Sequence, residues 1–150
     1  MITVRVYGLY INDKKQILVS DELIKGKLYT KFPGGGLEPG EGTRDCLMRE
    51  FREEMSADIE VKEHLYTTDF YLESAFAPGV QVMSIYYRIN FLQTPIIELN
   101  NESPTMEVFL QNNPLAVEKH RLIELEKFEE SVFQLPIDKI MVGVIRNNIS

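Results

Sequence analysis

A glycine-rich segment that runs straight into a charged amphipathic helix is the feature that most restricts how this chain folds. The segment from Gly34 to Ala57 reads GGGLEPGEGTRDCLMREFREEMSA. Its helical part places Glu50, Glu53 and Glu54 within about 100° of one another, because positions i, i+3 and i+4 share a helix face. Three carboxylates so placed repel one another by roughly 0.2–0.5 kcal/mol per pair on an exposed helix. Oxygen ligands of this kind suit a hard divalent cation, Mg²⁺ or Mn²⁺, which would offset the repulsion.

The same segment predicts where the helix begins and which side of it is buried. Thr43 is a suitable N-cap, and we expect the helix from about Arg44 to Met55. Its apolar side chains fall on a face next to the carboxylates, namely Leu47, Met48, Phe51 and Met55. The helix therefore has one face for the core and one face for chemistry.

The glycines before the helix predict a turn that brings the backbone close to a ligand. Gly34, Gly35 and Gly36 can adopt φ > 0, so their backbone can approach an ion or a phosphate, and Gly35 and Gly36 are candidate substrate contacts. Pro39-Gly40 reads as a tight turn that leads back to the helix. A P-loop does not fit, because Glu41 stands where that loop carries its lysine.

Composition restricts the class of protein and of partner. The 150 residues are about one domain, and an apolar share of 44% with 26% charged residues is ordinary for a globular protein. The net charge is −7 and lysines and arginines do not cluster, which argues against a nucleic-acid partner. A nucleotide ligand is still compatible with this negative net charge, because a bound metal ion supplies local positive charge.

The chain also lacks the sequence signals of export and of membrane insertion. Its lone cysteine, Cys46, excludes an internal disulfide and is interpreted as a small helix residue. No stretch of 18 apolar residues occurs, and the first residues do not read as a signal peptide. We therefore expect a cytoplasmic protein with no membrane partner.

The first two thirds of the chain is rich in β-forming residues. Residues 2–11 and 16–20 read as a hairpin across a turn at residues 12–15. Further extended segments are predicted at residues 29–32, 59–71 and 81–92.

The last third is less regular. Residues 94–114 predict a loop-rich excursion with a short strand near residues 106–110. A last strand is expected over residues 119–125 and a helical turn over residues 126–131, after which Pro136 opens a C-terminal amphipathic helix. Together these elements predict an α/β fold, a mixed sheet flanked by helices in α/β/α layers.

Residues 35–57 resemble the signature of the Nudix hydrolase family. That signature is Gly, five residues, Glu, seven residues, then Arg-Glu-apolar-x-Glu-Glu-x-Gly-apolar. Gly35, Glu41 and the Arg49-Glu50 pair stand at the matching distances, and the chain departs from the pattern once, with Ser56 in place of the family glycine. Because that glycine follows the ligands and caps a helix, we expect an altered helix exit with activity retained. The resemblance implies one Nudix-like α/β/α sandwich over residues 1–150.

The resemblance also implies an activity and a division of roles. The family cleaves a nucleoside diphosphate linked to another moiety, X, with Mg²⁺ or Mn²⁺ and water. Carried over, Glu53 and Glu54 would hold the metal ion, and Glu50 would bind it or act as the base. Arg49 would orient a neighbouring carboxylate, with Glu41 as its partner.

Further site residues follow from the same resemblance. The carbonyl of Gly34 would be another metal ligand, and many relatives add a carboxylate from a loop before the last strand. Glu118 is the first candidate for that ligand, ahead of Glu107 and Glu102.

The sequence does not decide between several partners and functions. Phe70 or Tyr71 could stack on a base from a strand end, but other aromatic residues could do the same. A homodimer is compatible with the resemblance, because many relatives are dimers. The alternative function is a nucleotide-sensing Nudix-like module that binds without turnover.

Overall fold

The computed structural model describes residues 1–111 and 115–148, and these fall into two compact units. The first unit comprises Met1–Tyr10 and Pro33–Pro95, and the second comprises Ile11–Phe32 and Ile96–Ser150. No helix among the described residues is long and apolar enough to cross a membrane.

The first unit is a four-stranded sheet with one helix packed against it. The order of the strands is β4-β1-β6-β5, and the sheet is mixed because β1 runs parallel to β6 while the other pairs are antiparallel. Its elements are β1 (Ile2–Leu9), β4 (Gly34–Gly36), α1 (Thr43–Met55), β5 (Ile59–Thr67) and β6 (Gln81–Phe91).

Helix α1 lies close to the sheet because β1 carries a glycine at the contact. A Cβ at Gly8 would lie 2.9 Å from Cε2 of Phe51, so a larger residue would push the helix outward. Phe51 is fully buried and its ring packs edge-on against Phe91 at 5.9 Å. This contact fixes the apolar face of α1 against the sheet.

The second unit is an antiparallel three-stranded sheet with helices, in the order β3-β2-β7. Its core contains the buried rings of Phe32, Phe128 and Phe133, with centroids 5.0–6.1 Å apart. Its elements are β2 (Gln16–Ile24), β3 (Lys27–Lys31), α2 (Met106–Leu110), β7 (Glu118–Glu124), two 3₁₀ turns (Leu125–Lys127 and Glu130–Val132) and α3 (Pro136–Asn148).

The predicted mixed α/β fold is confirmed, and so are the last strand and the C-terminal helix that begins at Pro136. The predicted N-terminal hairpin is wrong. The turn at residues 12–15 forms. The segments on either side of it pair only through an isolated bridge between Ile11 and Ile17, so they do not make a hairpin. β1 instead pairs with β4 and β6, because the burial of an entire strand outweighs a local turn signal.

Two local predictions are also corrected. Gly34–Gly36 is a short strand paired with β1, not a turn. Residues 106–110 form helix α2, not a strand, because the side chain of Thr105 caps it by accepting a hydrogen bond from the Val108 amide. Residues 112–114 of the predicted loop lie outside the described residues.

The start of α1 differs from the prediction by one residue. Gly42 is the N-cap, and its N–H donates to Oδ2 of Asp45 at 3.3 Å. The hydroxyl of Thr43 lies 2.7 Å from the hydroxyl of Tyr87 on β6, so it ties the helix to the sheet instead of capping it.

The end of α1 has the left-handed geometry that glycine favours. Ser56 has φ 51° and ψ 37°, and its N–H donates to the Arg52 carbonyl at 3.1 Å. A residue with a Cβ is strained there by about 1–2 kcal/mol. The helix therefore ends in a conformation that glycine adopts more readily than serine does.

We expect Ser56→Gly to raise the free energy of unfolding by about 0.5–1 kcal/mol, part of the relieved strain being offset by the greater freedom of glycine in the unfolded chain. Urea denaturation followed by circular dichroism measures this difference. Ser56→Ala keeps the Cβ and should show no such gain. Equal stability of the Gly and Ala variants would contradict the strain argument.

Candidate active site

The loop that leads into α1 is held at both ends. Gly36 pairs with Arg5 and Gly34 with Tyr7 on β1, so the loop starts from a fixed sheet edge. The predicted turn at Pro39-Gly40 is present: Gly40 has φ +88°, and the Glu41 N–H donates to the Glu38 carbonyl at 3.4 Å. This turn returns the chain so that Glu41 faces α1.

Arg49 and Glu41 form a two-pronged ion pair across the loop and the helix. Arg49 Nε lies 3.0 Å from Glu41 Oε2, and Arg49 Nη2 lies 2.7 Å from Glu41 Oε1. Both side chains are largely buried, with 22% and 15% of their side-chain surface exposed. Such a forked pair fixes direction as well as distance, so the two elements are locked in one relative position.

The same guanidinium also holds two of the helix glutamates. Arg49 Nη1 donates to Glu50 Oε1 at 3.0 Å and to Glu53 Oε2 at 3.1 Å, while Nη2 donates to the Gly36 carbonyl at 3.0 Å. One cation therefore offsets the repulsion between neighbouring carboxylates of α1. The sequence pattern predicted that repulsion but not the contacts with Glu50, Glu53 and Gly36.

The charges and burial within this cluster shift the pKa values of its ionisable side chains. Hydrogen bonds from Arg49 and from the Glu38 amide lower the pKa of Glu41 from 4.5 to about 2, so Glu41 stays ionised over the whole physiological range. The carboxylates raise the pKa of Arg49 in turn. Burial, together with Glu41, raises the pKa of the Cys46 thiol to about 12. Cys46 is thus an inert thiol beneath the loop, with its Sγ 3.5 Å from the Gly36 carbonyl oxygen.

Glu50 is pressed against the glycine strand. A Cβ built at Gly35 would lie 2.3 Å from Cδ of Glu50 and within 2.5 Å of both carboxylate oxygens. Position 35 therefore accepts only glycine while Glu50 keeps its place. At Gly34, with φ +153°, a Cβ would lie 2.0 Å from the Val6 carbonyl oxygen, so this neighbour is restricted as well.

We expect Gly35→Ala to lower the free energy of unfolding by about 1–3 kcal/mol, because the added methyl group overlaps the Glu50 carboxylate. Thermal and urea denaturation measure the loss. Gly143→Ala is the matched control, since a Cβ there meets nothing within 4 Å. The double variant Gly35→Ala/Glu50→Ala should recover most of the loss, and an unimproved double variant would contradict the overlap.

The remaining predicted ligands lie at different places. Glu54 is half-buried on α1, one turn after Glu50. Glu118 is the first residue of β7, not a loop residue, and belongs to the second unit, where its Oε1 lies 2.9 Å from His120 Nε2. Of its runners-up, Glu107 lies in α2 and Glu102 in the preceding loop, both exposed.

The predicted base-stacking residues follow β5 and are exposed. Phe70 and Tyr71 have 38% and 65% of their surface exposed, in the connection between β5 and β6. β5 ends at Thr67, so neither residue lies at a strand end as expected. The hydroxyl of Tyr71 donates to Glu73 Oε1 at 3.4 Å.

The family model described as NUDIX domain matches residues 1–131. The fold is shared with solved structures. A NUDIX hydrolase from Nitrosomonas europaea is 14% identical with a TM-score of 0.70, and the match covers 99% of this chain and 90% of that one. A MutT protein from Methanosarcina mazei is 18% identical with a TM-score of 0.69, over 99% and 96% of the two chains.

A third solved structure, an ADP-ribose pyrophosphatase from Streptococcus suis, is 16% identical with a TM-score of 0.57, over 99% and 92% of the two chains. At such identities the likeness shows the fold. No curated protein matches the chain. The family match spans most of the sequence and includes the loop and helix that Arg49 holds together. The chain belongs to the NUDIX family and is a pyrophosphohydrolase of the Nudix type.

Proposed function

We propose that this protein is a Mg²⁺-dependent hydrolase that cleaves the pyrophosphate bond of a nucleoside diphosphate linked to another moiety. The substrate class is a nucleotide, a nucleotide sugar or an ADP-ribose-like compound. The observation that supports this most is the Arg49 cluster, in which one guanidinium holds Glu41, Glu50 and Glu53 at the junction of loop and helix.

The donor set fits a hard divalent cation. Glu50, Glu53 and Glu54 share one side of α1, and Glu50 is confined against Gly35 without room for a further side-chain atom. Oxygen-only ligands of this kind suit Mg²⁺, and Mn²⁺ as an alternative. We propose Glu53, Glu54 and the Gly34 carbonyl as ligands, with Glu118 as a further one, and Glu50 as either a ligand or the base. A bound ion would neutralise charge on the phosphate oxygens and lower the pKa of water.

The protein's own residues would accept the proton, position the carboxylates and contact the substrate. A water oxygen attacks phosphorus in line with the bridging oxygen, the bond from phosphorus to that oxygen breaks, and two phosphorylated products leave. Where Glu50 does not bind the ion, it would accept the proton of the attacking water, while Arg49 keeps Glu50 and Glu41 in position. Gly35 and Gly36 would let the substrate approach the backbone, and the exposed rings of Phe70 and Tyr71 would face a base.

The choice of substrate class draws on proteins of the same fold. One is described as an ADP-ribose pyrophosphatase. Another, a UDP-X diphosphatase, is 15% identical with a TM-score of 0.63, and the match covers 60% of that protein. We propose these substrate types for testing because the chemistry at the phosphates is the same in each. We further propose that residues 1–150 act as one cytoplasmic domain, with a homodimer to be tested by light scattering.

A substrate panel with matched variants tests the proposal. ADP-ribose, nucleotide sugars, dinucleoside polyphosphates and nucleoside triphosphates are incubated with Mg²⁺ or Mn²⁺, and phosphate release is measured with the auxiliary enzyme that each product requires. We expect metal-dependent turnover that Glu53→Gln or Glu54→Gln lowers by orders of magnitude with the fold intact. Glu63→Gln, an exposed glutamate on β5, is the control and should match the wild type.

Two outcomes would count against the proposal. Wild-type turnover in Glu54→Gln would show that the helix carboxylates are not the metal ligands. Tight nucleotide binding in the presence of metal, without turnover of any substrate, would favour the nucleotide-sensing module instead.

A further inference from the structure

Two side chains of β7 that can bind a metal ion lie side by side on one face of the second unit's sheet. This β7 pair is Glu118 and His120, which are two positions apart on the strand and so point to the same side. Glu118 Oε1 lies 2.9 Å from His120 Nε2, and 20% and 11% of the two side-chain surfaces are exposed. An oxygen and a nitrogen donor are thus held together within one short segment of one strand.

The distance between the two donor atoms fits a shared ion. Two ligand atoms that each lie about 2.1 Å from one ion, at right angles to each other, are about 3.0 Å apart. The observed separation of 2.9 Å is close to that value. His120 Nε2 is buried, and it makes no hydrogen bond with any of the described residues. The β7 pair therefore has the spacing of a chelate without the direction of a hydrogen bond.

A buried hydroxyl group also indicates a ligand at this place. Ser20 on β2 is the register partner of His120, so the two side chains share a face of the sheet. Ser20 is fully buried, yet its Oγ has no hydrogen-bond partner in the part of the chain that the structure describes. A buried polar group left in this state costs about 1–3 kcal/mol. A water molecule bound to an ion beside His120 would give the hydroxyl the partner it lacks.

The charges around the β7 pair favour a cation. The arginine that follows the pair on the strand, Arg121, lies on the opposite face, where its Nε donates to Asp21 Oδ2 at 2.7 Å. On the face of the pair, Glu22 of β2 stands opposite Glu118, and Lys31 pairs with Glu22 at 3.6 Å. Like charges directly opposite each other on neighbouring strands are destabilising, so a cation bound at Glu118 would offset that repulsion.

We propose that Glu118 and His120 bind a divalent ion together, and that the imidazole nitrogen makes Mn²⁺ preferred over Mg²⁺. Mg²⁺ takes oxygen ligands in near-ideal octahedral geometry, whereas first-row transition-metal ions also accept imidazole. This inference rests on the proposed function, because Glu118 is one of the metal ligands proposed there. It adds a nitrogen donor to a set that otherwise contains only oxygen.

Pulsed EPR of the Mn²⁺-loaded protein tests this ligation, because a nitrogen bound to Mn²⁺ modulates the electron spin echo. The sequence contains two histidines, so His64→Gln is the matched control for His120→Gln. His64 is exposed on β5, in the first unit. Isothermal titration with Mn²⁺ alone and with Mg²⁺ alone is performed on the wild type, on both histidine variants and on Glu118→Gln. Circular dichroism melts check that each variant is folded.

We expect nitrogen modulation in the wild type and in His64→Gln, and its loss in His120→Gln. His120→Gln should weaken Mn²⁺ binding by about tenfold and change Mg²⁺ binding by less than about twofold, whereas Glu118→Gln should weaken the binding of both ions. In His64→Gln the one remaining histidine is His120, so ¹⁵N-labelled histidine should change the modulation frequencies. That measurement decides the question even if His120→Gln does not fold.

Nitrogen modulation that is absent from the wild type, or that persists in His120→Gln, would overturn the inference. Equal Mn²⁺ affinity of the wild type and His120→Gln would do the same. Neither measurement depends on turnover. If no substrate of the panel is hydrolysed while the nitrogen signal is present and is lost in His120→Gln, the proposed reaction fails and the metal ligation stands. Hydrolysis without the nitrogen signal would leave the proposed reaction intact and overturn the ligation.

Discussion

Arg49→Lys should lower kcat by about 100-fold while the protein remains folded. A lysine keeps the positive charge but has one ammonium group, so it cannot form the two-pronged pair with Glu41 and also reach Glu50, Glu53 and the Gly36 carbonyl. The carboxylates would then shift, and a displacement of about 1 Å at a catalytic group can cost that factor in rate. Steady-state kinetics on a substrate from the panel measure the effect.

The control for this prediction lies on the same helix. Arg52 is exposed and pairs with Asp58, so Arg52→Lys should retain wild-type kcat. A second readout does not depend on turnover: NMR titration should place the pKa of Glu41 at about 2 in the wild type, and it should move toward 4.5 in Arg49→Gln. If Arg49→Lys keeps kcat close to the wild-type value, the guanidinium does not position the site.

The second large effect concerns a buried acid in α3. Asp138 is 3% exposed, and its Oδ2 accepts no hydrogen bond from the described residues. Burial raises its pKa from 3.8 to about 7, with Lys31 opposing the rise and Glu22 adding to it. The folded protein therefore holds a proton that the unfolded chain releases near pH 4.

The sign of the pH dependence follows from this difference. Between about pH 4 and pH 7 the unfolded state binds fewer protons than the folded state, so the free energy of unfolding falls as the pH rises. The decrease is about 1.4 kcal/mol per pH unit and totals about 4 kcal/mol above pH 7. Asp138→Asn removes the ionisation, so it should match the wild type near pH 4 and be more stable by up to about 4 kcal/mol at pH 8.

Urea denaturation from pH 4 to pH 8 measures the free energy of unfolding of both proteins. Because the variant is compared with the wild type at each pH, the contributions of the other titrating groups cancel. Asp13→Asn, an exposed aspartate in the turn after β1, should leave the pH dependence unchanged. A constant difference between Asp138→Asn and the wild type at all pH values would show that Asp138 does not titrate in this range.

Helix α1 was the most predictable part of the molecule because its signal is local. A period of 3.6 residues separates Leu47 and Phe51, which are buried, from the carboxylate face. The spacing from Gly35 through Glu41 to Arg49 also predicted the family, and the structure places Arg49 against Glu41. Such patterns depend on neighbours within a few turns of chain, which the sequence shows directly.

Pairing between distant segments could not be read in the same way. The run at residues 2–11 reads equally well as half of a hairpin or as a central strand, and only burial against β6 decides between them. Met106–Leu110 is a short apolar run, for which strand and helix are ambiguous, although Thr105 offered an N-cap signal. The contacts of Arg49 with Gly36 depend on β4 joining the sheet, so no spacing rule predicts them.

The interleaving of the two units has a consequence for synthesis on the ribosome. β1 leaves the exit tunnel before its parallel partner β6, which begins about 80 residues later, so this strand pair cannot form until both strands have been synthesised. The sheet of the second unit likewise cannot be completed until β7 has been synthesised and can pair with β2. Because each unit uses chain from both sides of the other, no single cut releases either one intact, and truncated fragments should be poor substitutes for the whole chain.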